Sequence, residues 1–467
     1  MTRRSNKVVL CVLWLVLLVG CVQAPHVELV PEALRTQPAP DRASSVPMAA
    51  WWQPLHDPVL SGLIDAALRD SPSTQIAEAR INQAQLQIQI ARGSLWPSIG
   101  AQGRRDVMNF SDNTVDTRAD LGALSLNWDA GLWGRRRLQI YVAKCFSDQR
   151  WFEAQQVALL LSTQVADTYF QIVEGYTQGD LLAEQMRVSR DLEDLIEARF
   201  RLGQAAASEL YQQREQTAVL KQLSLVNDAN AEVLERRLDV LLGAAPDRRP
   251  RVLLRTLPAA PAATPARAPQ DLVRSRADIR AGFAQLRQIA AEAGIGITDR
   301  LPALRVNLGL ASLANKATST QLLSHGLDLT APLFTGGRLR ATQKSLFLAL
   351  EEARQRYYAI WLGALEEISV TRWRFDQQSQ IIVASQERRR NAQLALGAAR
   401  NRYALGNRNF LDVLTALRGL QDADRQLNTQ RRELLTLWIR AIEASGRPVF
   451  HEALCDDLAG CRERWES

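Results

Sequence analysis

The sequence predicts a mainly α fold with a small β part, built from two copies of a strand, strand, long helical hairpin unit. Three observations carry this expectation. A strand-to-helix junction occurs twice, as Leu124-Ser125-Leu126-Asn127-Trp128-Asp129-Ala130-Gly131-Leu132-Trp133-Gly134-Arg135-Arg136 and as Leu327-Asp328-Leu329-Thr330-Ala331-Pro332-Leu333-Phe334-Thr335-Gly336-Gly337-Arg338-Leu339. Each copy passes from period-two apolar alternation through glycine into a long run at helical spacing. Each then reaches a second shared motif, Arg199-Phe200-Arg201-Leu202-Gly203 or Arg402-Tyr403-Ala404-Leu405-Gly406, so Gly134 with Gly337 and Gly203 with Gly406 are both 203 residues apart. A solenoid would repeat every ~20 to 50 residues, so this period points to a duplicated domain. Finally, proline is absent from residues 98 to 245 and 333 to 447. Proline breaks helix interiors, so both stretches can hold very long helices.

At the amino terminus, Arg3, Arg4 and Lys7 precede an unbroken apolar run from Val8 to Val19, the pattern of a targeting segment. Twelve apolar residues are too few to span a bilayer as a helix. The run ends in Leu18-Val19-Gly20-Cys21, which resembles a bacterial lipobox with Cys21 as the lipidated new amino terminus; an ordinary signal peptide cut at Ala24 is the alternative. Residues 1–20 are thus expected as a lipoprotein signal peptide and 21–50, proline-containing and unpatterned, as an extended segment. Without the three basic residues of that signal the formal charge falls from +7 to +4, and no nucleic-acid footprint is evident. Of the five cysteines, Cys145 stands alone in a helical run; Cys455 and Cys461 form either a small disulfide or two free thiols.

The first repeat is expected over 51–245. Ile99 and Ala101, then Leu124, Leu126 and Trp128, mark two short strands, joined by the polar loop Asn109 to Arg118. Residues 135 to 199 would extend roughly 100 Å as one helix. After Gly203 the chain returns as a second helix, with Val219, Leu223, Val226, Asn230, Val233, Arg237 and Val240 at coiled-coil spacing. A proline- and alanine-rich connector, 246–269, leads to the second repeat, 270–447. There Leu304, Val306, Leu308 and Leu310 alternate with polar or small residues, followed by Leu327 and Leu329; the return helix carries Leu417, Leu420, Asp424, Leu427, Arg431, Leu434 and Trp438. Residues 448–467 form a C-terminal tail.

The strand alternation is the lipid-out, lumen-in pattern of a membrane barrel, with a soluble sheet buried on one face as the alternative. Four strands cannot close a barrel, and open edges are not tolerated in lipid, so other chains must supply the missing strands. The histidines His26, His56, His325 and His451 are scattered, and there is neither a metal-spaced cysteine pair nor a phosphate-binding glycine loop. The expectation is therefore no catalytic residue, no metal, no cofactor and no enzyme.

With these residues in place the chain resembles outer-membrane factors of the TolC and OprM type, in the lipoprotein branch often called NodT-like. The resemblance rests on Trp51-Trp52 with Asp57-Pro58 and Leu63-Ile64, on Arg276-Ala277-Asp278-Ile279 where the family usually has Arg-Pro-Asp, and on Leu333-Phe334-Thr335-Gly336-Gly337-Arg338. It implies a homotrimer in which three chains give a twelve-stranded outer-membrane barrel continued by a periplasmic helical tunnel. It also implies a periplasmic membrane-fusion adaptor docking at the Gly203 and Gly406 tips, and a proton-driven inner-membrane pump. The closing contacts of the tunnel would involve Ser208, Glu209, Tyr403, Arg408 and Asp412, with Tyr403 donating to Glu209, Arg408 reaching Ser208, and Asp412 forming an acidic ring by threefold symmetry. Thr415 stands where some members have a second aspartate. The implied function is a passive exit duct for small molecules such as drugs. A duct for metal cations or secreted polypeptides, or a non-transporting envelope scaffold, are the alternatives.

Overall fold

The computed structural model describes residues 51–108, 117–246, 254, 256–261, 276–315, 319–405 and 410–446. After a 3₁₀ turn at Gln53–Leu55, the elements run α1 (Pro58–Asp70), α2 (Pro72–Gly93), β1 (Ser98–Met108), β2 (Thr117–Asp129), α3 (Arg135–Arg201), α4 (Ala207–Leu241), α5 (Ala277–Thr298), β3 (Ala303–Asn315), β4 (Ser319–Thr330), α6 (Arg338–Ala404) and α7 (Phe410–Ser445). The expected mainly helical fold with a small β part is what forms. Both α3 and α6 are 67 residues long. Their first residues, Arg135 and Arg338, lie 203 positions apart, as do those of α4 and α7. Gly336 and Gly337, with φ of +58° and +83°, make the strand-to-helix turn that side-chain-bearing residues rarely adopt.

One compact unit comprises the described residues of 79–152 and 279–360. It contains a single antiparallel sheet in the order β1-β2-β3-β4. The central pairing joins the two repeats: Leu124 lies opposite Leu310, Leu126 opposite Leu308 and Trp128 opposite Val306. Because partners across a ladder share a face, the register places Ile99, Leu124, Leu126, Leu308, Leu310, Leu323, Leu327 and Leu329 on one side. Ser98, Gly100, Ser125, Asn127, Asn307, Gly309, Ser324 and Asp328 take the other. Toward the hairpin tips the apolar face turns polar, where Arg105 pairs with the directly opposite Asp120 at 2.6 Å. The strands are 11 to 13 residues long, enough to cross the hydrocarbon when tilted. They extend further than the alternation suggested, since the charged pair at Arg105 and Asp120 interrupts the apolar pattern without ending the ladder. Beneath the sheet, α5 packs through Leu286 and Ala290 on Leu350 and Ala353 of α6, and Arg287 Nε donates to the Tyr141 hydroxyl of α3 at 2.7 Å.

The other unit comprises the described residues of 37–78, 153–278 and 361–467. Its main core gathers Trp51, Trp52, Leu60, Ile64 and Leu68 against Tyr169, Phe170 and Ile172 of α3, Leu238 of α4, Phe375 of α6 and Leu435, Trp438 and Ile442 of α7. Asp57 starts α1: its Oδ1 accepts from the Val59 and Leu60 amides at 2.9 and 3.1 Å, satisfying N-terminal donors the helix leaves open. Its Oδ2 accepts the Tyr169 hydroxyl at 2.7 Å, which fixes the helix to the core. Arg276, only 8% exposed, is a second tie: it pairs with Asp278 and Glu367, both at 2.8 Å, and NH1 donates to the Ala444 carbonyl at 2.7 Å. The Arg-x-Asp motif therefore locks the end of α7 to the start of α5 and to α6, and alanine at 277 leaves that lock intact.

The two expected seams fare differently. In α7, Leu417, Leu427 and Trp438 are buried. In α4 the line Val219, Val226, Val233, Val240 is exposed, and the buried line is instead Leu210, Gln213, Gln216, Leu220 and Leu238. Hydrophobicity alone chose the valines, whereas the chain's own packing selects a stripe containing two glutamines.

Candidate functional site

The ends of the four long helices α3, α4, α6 and α7 come together. Two residues past the end of α3, Gly203, with a φ of +71°, lets the Gln204 amide reach the Arg199 carbonyl at 2.8 Å and the Gly203 amide reach the Phe200 carbonyl at 2.9 Å, capping the helix. Ile196, Leu210, Leu396, Phe410, Val413, Leu414 and Leu417 form one buried cluster with contributions from α3, α4, α6 and α7. That cluster is what positions the polar side chains around it.

The expected residues are distributed as follows. Tyr403 packs edge-on against Phe410, ring centroids 5.9 Å apart, and its hydroxyl accepts a hydrogen bond from Arg199 NH1 at 2.6 Å. The Arg199 guanidinium also lies over the Tyr403 ring, 5.0 Å from its centroid. Burial pushes the phenol's pKa up; the Arg199 cation opposes this and the nearby Glu209 charge adds to it. Glu209 is therefore close enough to be felt, but the bonded partner on the described structure is Arg199, which the sequence reading passed over. Its signal was present, since Arg199 and Tyr403 come from the same five-residue motif in the two repeats, at offset positions. Ser208 is exposed. Glu209 and Asp412 each fall in the first turn of a return helix and lie 203 residues apart, so they are equivalent in the duplication. There a carboxylate complements the positive end of the helix. Arg408 and Gly406 lie outside the described residues, as does Cys21.

Polar layers continue away from the bend. Gln216 Nε2 donates to Gln421 Oε1 at 3.0 Å, Arg425 NH1 to Gln185 Oε1 at 2.7 Å, and Gln213 Nε2 to the Ser189 carbonyl at 2.8 Å. Buried amides paired across helices fix register at a cost in stability. Among the described residues no group of His, Cys, Asp and Glu is arranged to hold a metal ion.

The chain thus combines a four-stranded sheet with one apolar face, whose outer strands pair with no further strand among the described residues, and two long helical pairs whose ends share a buried cluster and a polar contact. Residues 63–244 and 268–447 match the outer membrane efflux protein family, and the chain belongs to that family. It is an outer-membrane efflux protein. Among its relatives is the pyoverdine export outer membrane protein OpmQ of Pseudomonas putida, 27% identical over 436 residues, covering 88% of this chain and 90% of the relative. Another is nodulation protein T of Rhizobium leguminosarum bv. trifolii, 23% identical over 442 residues, covering 90% of this chain and 93% of the relative. In fold the chain is similar to the outer-membrane channel OprN, with a TM-score of 0.80 at 22% identity, covering 92% of this chain and 98% of that one.

Proposed function

We propose that three copies of this chain form the exit duct of a tripartite efflux system. Each copy contributes four strands to a twelve-stranded barrel and two hairpins to a periplasmic tunnel, with 51–245 and 270–447 as its two repeats. The observation that carries this is the four-stranded sheet with both outer edges, β1 and β4, unpaired among the described residues. In lipid those edges must be hydrogen-bonded. In this reading the chain supplies no energy of its own; a periplasmic adaptor meets the hairpin bends and a proton-driven inner-membrane pump drives transport. Cys21 carries the lipid anchor, and Asp412, one per copy, forms the acidic ring. The bends are held closed by the Arg199 and Tyr403 pair. The cargo is a small molecule, a reading supported by the relative named for pyoverdine export. Mass measurement in mild detergent should show three chains, and the purified protein should conduct in a planar bilayer. A stable monomeric pore would overturn the assembly, and a trimer without conductance would make it a scaffold.

A further inference from the structure

We propose that the foot of the sheet, where the strands meet the long helices, is a docking collar for anionic phospholipid headgroups. This rests on reading the sheet as a segment of a membrane barrel. The strand ends form one tied rim: Trp128 Nε1 donates to the Leu95 carbonyl at 2.9 Å, Trp133 Nε1 to the Pro302 carbonyl at 2.7 Å, the Ala130 amide to the Leu304 carbonyl at 3.0 Å, and Arg300 NH1 to Gln343 Oε1 at 2.7 Å. From this rim project three of the most exposed large apolar residues of the described chain, Leu333 at 96%, Phe334 at 90% and Trp96 at 76%.

Immediately beyond them in sequence the chain becomes cationic. Arg135, Arg136 and Arg137 open α3, and Arg338, Arg340 and Lys344 lie in the first turns of α6. The local carboxylates are already engaged, Asp299 by Arg135 and Asp129 by Arg136. Among the described residues Arg137, Arg338, Arg340 and Lys344 form no ion pair. Neither long helix has an acidic residue in its first turn. Cations there oppose the helix dipole, so helix stability does not account for them.

The order along the chain is apolar strand face, then aromatic and apolar rim, then unneutralised cations. A leaflet imposes the same order with depth: hydrocarbon, interface, phosphate. A second copy of this chain would bring more cations to the collar, not the missing anions, so charge complementarity selects the lipid. The leaflet concerned is the one nearer the helices, and phosphatidylglycerol is a suitable probe.

The test uses the full-length protein reconstituted in nanodiscs of phosphatidylcholine with or without phosphatidylglycerol, with retained lipid counted by native mass spectrometry. The wild type should retain phosphatidylglycerol over phosphatidylcholine, in a salt-sensitive manner. A variant with Arg137→Gln, Arg338→Gln, Arg340→Gln and Lys344→Gln should lose that preference ten-fold or more, since each basic residue near an anionic surface contributes several-fold. Arg105→Gln, at the opposite end of the strands, should leave it unchanged. Insertion without any phosphatidylglycerol preference, or equal preference in the quadruple variant, would overturn the collar while leaving the barrel. Failure to insert into either lipid would overturn both.

Discussion

The contact between Arg199 and Tyr403 offers a quantitative test of the proposed latch at the helix ends. Replacing Tyr403 by Phe removes the hydroxyl that accepts from Arg199 at 2.6 Å but keeps the ring against Phe410 and beneath the guanidinium. A hydrogen bond to a charged group contributes about 1.5–3 kcal/mol when sheltered, and the half-exposed setting reduces this to about 1 kcal/mol. Three copies opening together would lose about 3 kcal/mol, on the order of a hundred-fold in the ratio of closed to open. Arg199→Ala should go further, because it also removes a cation–ring contact of about 0.5–1 kcal/mol per copy. Single-channel recording of the assembled protein should show Tyr403→Phe opening more readily than wild type, Arg199→Ala more readily still, and the double variant no further than Arg199→Ala alone. Strict additivity of the two substitutions, or unchanged conductance in both, would refute the pairing as a latch.

Three further outcomes follow from the same structure. Arg276→Ala should destabilise the protein by about 2–3 kcal/mol in thermal melts; the full penalty for stripping a buried ion pair is larger, but Asp278 and Glu367 are partly exposed and can hydrate. Glu443 has its pKa raised by burial, reinforced by Glu367 and opposed by Arg440 and Arg276. The fold therefore favours its protonated form, which weakens the protein as pH rises through that raised value. Glu443→Gln should raise the melting temperature at pH 7, with the gain shrinking as pH falls toward the ordinary carboxylate range near about 4.3; a gain independent of pH would contradict this. Cys21→Ser should abolish labelling by a radioactive fatty acid, whereas persistent labelling would remove the lipobox reading.

The duplication made much of this legible from residues alone. The 203-residue spacing located both strand-to-helix junctions and the matched long helices, and the Arg199-Phe200-Arg201-Leu202-Gly203 motif the bend at Gly203, because glycine at a left-handed turn and an absence of proline are local requirements that the sequence displays directly. The pairing of β2 with β3 was less accessible. It joins segments far apart in the chain, and only the ladder shows that Leu124 and Leu310 share a face. The α4 valines stay exposed within the single chain because burial in a hairpin depends on which neighbour a stripe meets, and the stripe that meets the chain's own helices includes Gln213 and Gln216, which hydrogen-bond across them. Arg199 was missed for a related reason: within its own repeat it is one more arginine near a helix end, and its partner lies in the other repeat.

The two sheet edges left unpaired among the described residues have a genetic consequence. If each edge is closed by a neighbouring copy, no subunit can complete its own barrel, and a single altered edge strand damages every assembly that includes it. In a cell making equal amounts of normal and altered chains that mix freely in a closed ring of three, roughly one assembly in eight would contain only normal copies. Substitutions confined to the outer side of β1 or β4, such as proline at Leu323, should therefore be dominant over the unaltered gene, while equally damaging changes in the core around Trp51 should be recessive, because those chains fail to fold before they can be assembled.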